Sequence, residues 1–111
     1  MVDLACGTGL VSLGAKQKVG PQGTVISVDV SQGMLKVAQR KAQRDNLEIV
    51  FVDHDITDIQ ALQGFLPKPA EGFDVITCAS ALVSLESPQR AIKDWATLLK
   101  PRGRLIMDVP T

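Results

Sequence analysis

Short runs of apolar, mostly β-branched residues alternate with segments of helical periodicity along the whole 111-residue chain. This alternation restricts the fold more than any other feature. Residues 1–6 read as a short buried strand, followed by "TVISVDV" (24–30), "LEIVFVDHD" (47–55), "FDVITCAS" (73–80) and "RLIMDV" (104–109). Leu10 to Val19 reads as a helix with Leu10, Leu13 and Val11 on its inner face. Ser31 is a good N-cap for a second helix, with Met34, Leu35, Val37, Ala38 and Ala42 at apolar positions and Lys36, Arg40, Lys41 and Arg44 on the wet face; Asp45-Asn46 ends it. Asp58 to Leu66 is a candidate short helix. Ser87 and Pro88 start a last helix, with Ala91, Ile92, Trp95, Leu98 and Leu99 as its core stripe and Pro101-Arg102-Gly103 as its stop. Strands separated by helices pair in parallel through right-handed crossovers. The expected fold is therefore α/β, a three-layer sandwich around a mostly parallel sheet of about five strands. No repeat or linker divides the chain, so residues 1–111 are read as one domain.

Composition removes several function classes. A formal net charge of zero, with no aromatic interleaving among the basic residues and no tyrosine, gives no footprint for nucleic acid. No apolar run approaches the roughly 20 residues that span a bilayer, and no secretory signal is visible. Cys6 and Cys78 form neither a metal cluster nor a CxxC motif. They end strands expected to be neighbours, and read as small buried hydrophobes rather than a disulfide. A cytoplasmic protein with reduced thiols is the expectation.

The first strand runs into a glycine turn, "ACGTGL" (5–10), that opens a helix. In an open parallel sheet, ligands sit outside the carboxyl ends of the strands. A glycine turn there lets a ligand approach the backbone. Asp29, 20 residues after Gly9, ends the next strand, where a carboxylate can accept hydrogen bonds from both hydroxyls of a ribose. A dinucleotide site would require G-x-G-x-x-G, but Ser12 replaces the third glycine.

The second nucleotide-type reading is carried by five segments in order. "VDLACGTG" resembles the first motif of the class I S-adenosylmethionine-dependent methyltransferases, with Asp3, Gly7 and Gly9 matching and Ala5 in place of the usual first glycine. "ISVDVSQGML" resembles the acidic second motif, "FVDHDITDI" the adenine-contacting segment, "FDVITCASAL" the fourth-strand motif, and "LLKPRGRLIMDVP" the helix-turn-strand that follows. The resemblance implies a Rossmann-like sheet in the order 3-2-1-4-5, lacking the family's usual last two strands. It implies S-adenosyl-L-methionine as cofactor and S-adenosyl-L-homocysteine as product. Contacts are implied from Asp3, Ala5, Cys6, Gly7, Thr8 and Gly9 on the first motif, and from Asp29, Val30 and Met34 on the second. His54, Asp55 and Ile56 follow on the third, then Cys78 and Ala79 on the fourth. Asp29 is implied to hold the ribose and Asp55 the adenine amino group, with the Ile56 N–H on a ring nitrogen.

Other roles stay open beside these. Asp29 also suits the start of a helix. Asp3, if buried, needs a partner; it could instead be an exposed acid at a frayed terminus. Asp53 and Asp58 read as solvated loop acids. His54, the only histidine, reads as structural or exposed rather than catalytic. Trp95 reads as core. The Asn/Asp-Pro-Pro-aromatic signature of amino-group methyltransferases is absent after the fourth strand, and Val83-Ser84 stands where many small-molecule relatives carry a histidine pair. No catalytic base is identified. The chain is thus expected to be a methyltransferase core, truncated at both ends relative to the family, with a small-molecule acceptor. The rivals are a non-catalytic module that keeps the fold, possessing cofactor or protein-partner binding alone, and more remotely a nicotinamide-dependent reductase. The bare "RLIMDV" edge suggests pairing of two chains as a homodimer.

Overall fold

The computed structural model describes residues 1–4, 9–20, 23–65, 72–79 and 87–108. The elements are β1 (Val2–Leu4), α1 (Leu10–Val19), β2 (Ile26–Asp29), α2 (Gln32–Arg44), β3 (Val50–Asp53), α3 (Ile59–Gly64), β4 (Phe73–Ala79), α4 (Pro88–Ala96) and β5 (Leu99–Asp108). The five strands form one sheet in the order β3-β2-β1-β4-β5, every pair parallel. This is the Rossmann-like arrangement expected from the alternation and the resemblance.

Strand register sorts side chains onto two faces. Val2 lies opposite Ile26 and Ile76, and Leu4 opposite Val28 and Cys78. These residues join Ile56, Leu62, Phe73, Ala91, Trp95 and Leu98 in one buried apolar cluster. The alternate row points the other way: Asp3 lies between Ser27 and Thr77, with Phe51 and Ile106 beyond them. Burying the apolar row against α3 and α4 supplies most of the driving force, at roughly 25 cal/mol per Å² of apolar surface.

Two expectations are corrected. Val11 is exposed, not on the inner face of α1. The buried side of that helix is set by Ser12 and Lys16, one turn apart and both nearly inaccessible; Leu13 is half-buried. The Lys16 ammonium donates to the Gly23 carbonyl, tying α1 to the entry of β2. An apolar pattern could not indicate a helix that meets its sheet through polar groups. The last helix also ends earlier than expected, at Ala96. The Thr97 hydroxyl takes the Asp94 carbonyl at 2.6 Å, and the Leu98 carbonyl accepts from Phe73 N at 2.7 Å. That second bond draws the chain into β5. Leu98 and Leu99 therefore extend the core stripe from outside the helix. Pro101-Arg102-Gly103 sits inside β5, where the register slips between Phe73↔Leu99 and Val75↔Arg104 and Arg102 adopts φ 69°.

The helix N-caps follow local chemistry. Ser31 accepts from Met34 N at 3.3 Å and Asp58 from Ala61 N at 3.2 Å. Ser87 occupies the cap position of α4 without a side-chain bond, and Pro88 supplies the fixed φ of its first turn.

Gly9 is required where it stands. Its φ is 89°, and a Cβ built on it would lie 2.9 Å from the Ala38 Cβ of α2. Gly9→Ala is expected to destabilise the fold by about 2 kcal/mol, from left-handed strain plus crowding of α2. Gly14, helical with nothing within 4 Å of its would-be Cβ, gives the opposite sign: Gly14→Ala is expected to add about 0.5–1 kcal/mol. Urea unfolding of both variants checks the pair.

Candidate functional site

The carboxyl end of β2 delivers Asp29, whose Oδ1 accepts from Ser31 N at 2.9 Å. Ser31 itself caps α2, so the carboxylate is oriented by the helix start. Val30 follows Asp29 and Met34 lies in the first turn of α2, with 66% and 46% of their surface exposed. The exit of β3 is held against this one: His54 N donates to the Asp29 carbonyl at 3.1 Å. Gln32 Nε2 at the start of α2 donates to Asp53 Oδ2 at 2.7 Å. Asp29 and the segment after β3 thus lie side by side.

That segment is built by its own polar side chains. Asp55 Oδ1 accepts from Thr57 N at 2.8 Å and from Thr57 Oγ1 at 2.7 Å. These bonds hold the Asp55 carboxyl below the ordinary carboxylate range. His54 Nε2 lies 2.9 Å from Asp58 Oδ2, and its ring packs edge-on to Phe65. The His54 bond, with the Ala61 N–H, lowers the Asp58 carboxyl. Asp58 is exposed, as expected of a loop acid, and also caps α3. The Ile56 side chain enters the core, and its carbonyl accepts from Trp95 Nε1 at 2.8 Å.

Asp3 lies under α1, on the other face of the sheet from that core, and is only 1% exposed. Its Oδ2 accepts from Ser12 Oγ at 2.6 Å and its Oδ1 from Thr77 Oγ1 at 2.8 Å; Ser27 Oγ donates to Ser12 Oγ at 2.5 Å. Burial raises the Asp3 carboxyl above its ordinary value, and the Ser12 and Thr77 hydroxyls offset part of that rise. The reading of Asp3 as an exposed terminal acid does not hold. Its buried partners join β1, β4, α1 and, through Ser12, β2.

Of the residues expected at the site, Asp29, Val30 and Met34 follow the carboxyl end of β2 into α2, His54, Asp55 and Ile56 follow that of β3, the His54 N–Asp29 carbonyl bond joins the two exits, and Gly9 caps α1. Ala5, Cys6, Gly7 and Thr8 lie outside the described residues. Cys78 is buried in the apolar cluster, and Ala79 ends β4. The sequence reading missed Ser12, Ser27 and Thr77 as partners of Asp3. A signal existed: β1, β2 and β4 each carry a polar residue at matching register between buried apolar ones. It missed the polar function of Trp95, for which spacing offers no sign. Cavities elsewhere belong to other surfaces. One of about 530 Å³ lies between α1, α2 and the amino ends of β2 and β3, lined in part by Lys16, Gln39 and Phe51. Another of about 800 Å³ lies along α4.

The family model described as "Methyltransferase domain" matches residues 1–103. The chain is 35% identical over 106 residues to the ubiquinone biosynthesis O-methyltransferase of Coxiella burnetii, covering 95% of this chain and 41% of that protein. It is 36% identical over 107 residues to a ubiquinone/menaquinone biosynthesis C-methyltransferase of Edwardsiella ictaluri, covering 96% and 41%. The crystal structure of an S-adenosylmethionine-dependent methyltransferase from Clostridium acetobutylicum superposes with a TM-score of 0.76 at 27% identity, covering 99% of this chain and 42% of that one. The chain spans about two-fifths of the length of these curated relatives.

The buried cluster has a measurable pH signature. The folded Asp3 value is raised, so its contribution to stability is fully present below the unfolded value and is lost as pH rises through the folded one. Asp3→Asn is expected to flatten that slope when urea unfolding is followed from about pH 4 to about pH 7. Ser12→Ala, which removes one donor to a buried carboxylate, is expected to cost about 1–3 kcal/mol at pH 7. Asp55 and Asp58 carry the opposite sign: their contribution is lost as pH falls through their depressed folded values.

Proposed function

Because the chain belongs to the methyltransferase-domain family, we propose that it binds S-adenosylmethionine at the carboxyl ends of β1 to β3 and serves methyl transfer to a small-molecule acceptor. The observation that carries this reading is the bond from His54 N to the Asp29 carbonyl, which joins the exit of β2, where Asp29 stands, to the exit of β3, which leads into Asp55 and Ile56. A ribose and an adenine are joined by one bond, so their two binding groups must come from adjacent chain segments. Asp29 suits the ribose hydroxyls, as a carboxylate oriented from Ser31 N. Asp55 suits the exocyclic amine, with the Ile56 N–H beside it. Exposed Val30 and Met34 offer an apolar surface to the flat base.

When bound, S-adenosylmethionine supplies a sulfonium methyl group open to attack by an O, N, C or S nucleophile. The residues of this chain hold and orient, and the gain they offer is positioning and exclusion of water. No side chain among the described residues is assigned as acid or base. Support for a small-molecule acceptor comes from the relatives' names, which place them in ubiquinone and menaquinone biosynthesis. Association of two chains through β5 is a further proposal, prompted by Ile106 at 55% exposure; sedimentation that finds only monomer at high concentration excludes it.

Isothermal titration with S-adenosylhomocysteine tests the cofactor site. Saturable binding is expected, and Asp29→Ala should weaken it roughly ten- to a hundredfold, the scale of hydrogen bonds to a charged group. Asp45→Asn, at the far end of α2, should leave affinity unchanged. Equal affinity of Asp29→Ala and the parent chain would remove the assignment. Transfer of a labelled methyl group to an acceptor separates turnover from binding alone.

A further inference from the structure

The cofactor reading leaves one polar contact of the core without a use. Trp95 is the largest fully buried side chain, and it belongs to α4, 39 residues further along the chain from Ile56. Its indole N–H donates to the Ile56 carbonyl at 2.8 Å. That carbonyl and the Thr57 N–H are the two ends of one peptide group. The N–H end donates to Asp55 Oδ1 at 2.8 Å. A single rigid peptide plane is therefore gripped from the core side by an indole and from the solvent side by the Asp55 carboxylate.

We propose that Trp95 is a positioning residue for purine recognition: its N–H fixes the Ile56–Thr57 peptide, and through Thr57 it fixes the orientation of the Asp55 carboxylate. This rests on the cofactor reading above. Both hydrogen bonds of Asp55 fall on Oδ1, so the turn of the carboxylate about its own axis follows the Thr57 N–H and hydroxyl. The Asp58 N–H donates to the Asp55 carbonyl at 3.1 Å, closing a turn over this peptide within the segment itself. β3 ends at Asp53 and α3 begins at Ile59, so no ladder or helix bond spans the Ile56–Thr57 peptide. Asp58 caps α3 downstream, and His54 N bonds β2 upstream. Between those anchors the Ile56 side chain enters the core, and the indole adds the hydrogen bond that reaches this peptide from α4. A tryptophan used only to fill volume would have its N–H met by any acceptor; here the acceptor is two atoms from the donor that orders Asp55.

The consequence is specific to the base. A carboxylate aimed by Thr57 accepts from the 6-amino group of adenine and has no such donor in hypoxanthine. The test compares S-adenosylhomocysteine with S-inosylhomocysteine on the full chain and on Trp95→Phe, by isothermal titration. The parent chain is expected to prefer the adenosyl ligand. Trp95→Phe is expected to lose roughly three- to tenfold of that preference, the scale of one hydrogen bond, while affinity for the inosyl ligand changes little. Hydrogen exchange at the Thr57 amide should accelerate in the same variant while the Leu62 amide of α3 stays protected. A role in packing alone would lower thermal stability and weaken both ligands alike; unchanged discrimination in folded Trp95→Phe overturns the inference and leaves the cofactor site standing. If the parent chain binds no S-adenosylhomocysteine, the cofactor reading fails, and this inference with it. Where Trp95→Phe does not fold, replacement of Trp95 by its benzothiophene isostere keeps the ring, removes the N–H and carries the same expectation.

Discussion

A carboxylate withdrawn from water must be met by donors, and the centre of this fold is arranged around that requirement. Asp3 occupies the middle of the middle strand, under α1. Ser12 reaches it from the helix, Thr77 from β4, and Ser27 from β2 by way of Ser12. Apolar contacts are tolerant of sliding and rotation, whereas this cluster is not: a shift of α1 by one residue would remove Ser12 and leave the charge underbonded. The direction of α1 over the sheet is thereby set. So is the place where its first turn meets α2, with Gly9 against Ala38.

The opposite face is governed by ordinary burial, with one polar exception. Trp95 fills the centre of the apolar cluster and also holds the Ile56 carbonyl. The two faces therefore serve the same end of the sheet by different physics. Under α1, hydroxyls and a carboxylate fix the helix that starts after Gly9. On the α4 side, an indole fixes the loop that carries Asp55. Between them, Ser31 N orients Asp29, and His54 N joins the β2 and β3 exits.

Much of this was legible before any coordinates. Alternating strand and helix patterns implied the parallel sheet, and the motif order implied the strand order. Ser31 as a cap and Asp45-Asn46 as a stop follow from short-range chemistry, which is why they are readable locally. The errors arose where a distant group decided the outcome. Val11 looks like a core residue until Asp3 turns Ser12 inward. Leu98 and Leu99 continue a helical stripe until Phe73 N captures the Leu98 carbonyl. Trp95 fits the apolar period of α4, and nothing in that period tells where its N–H will go.

Local patterning thus accounts for the elements, their parallel pairing and the identity of the acids at the strand ends, because each depends on neighbours a few residues away or on a motif read in order. The assembled sheet alone decided that Asp3 is a buried tie held by hydroxyls, that α1 docks through polar groups, and that the Ile56–Thr57 peptide is pinned from α4. Those are contacts between groups 9, 74 and 39 residues apart in the chain, and their geometry exists only once the strands are in register.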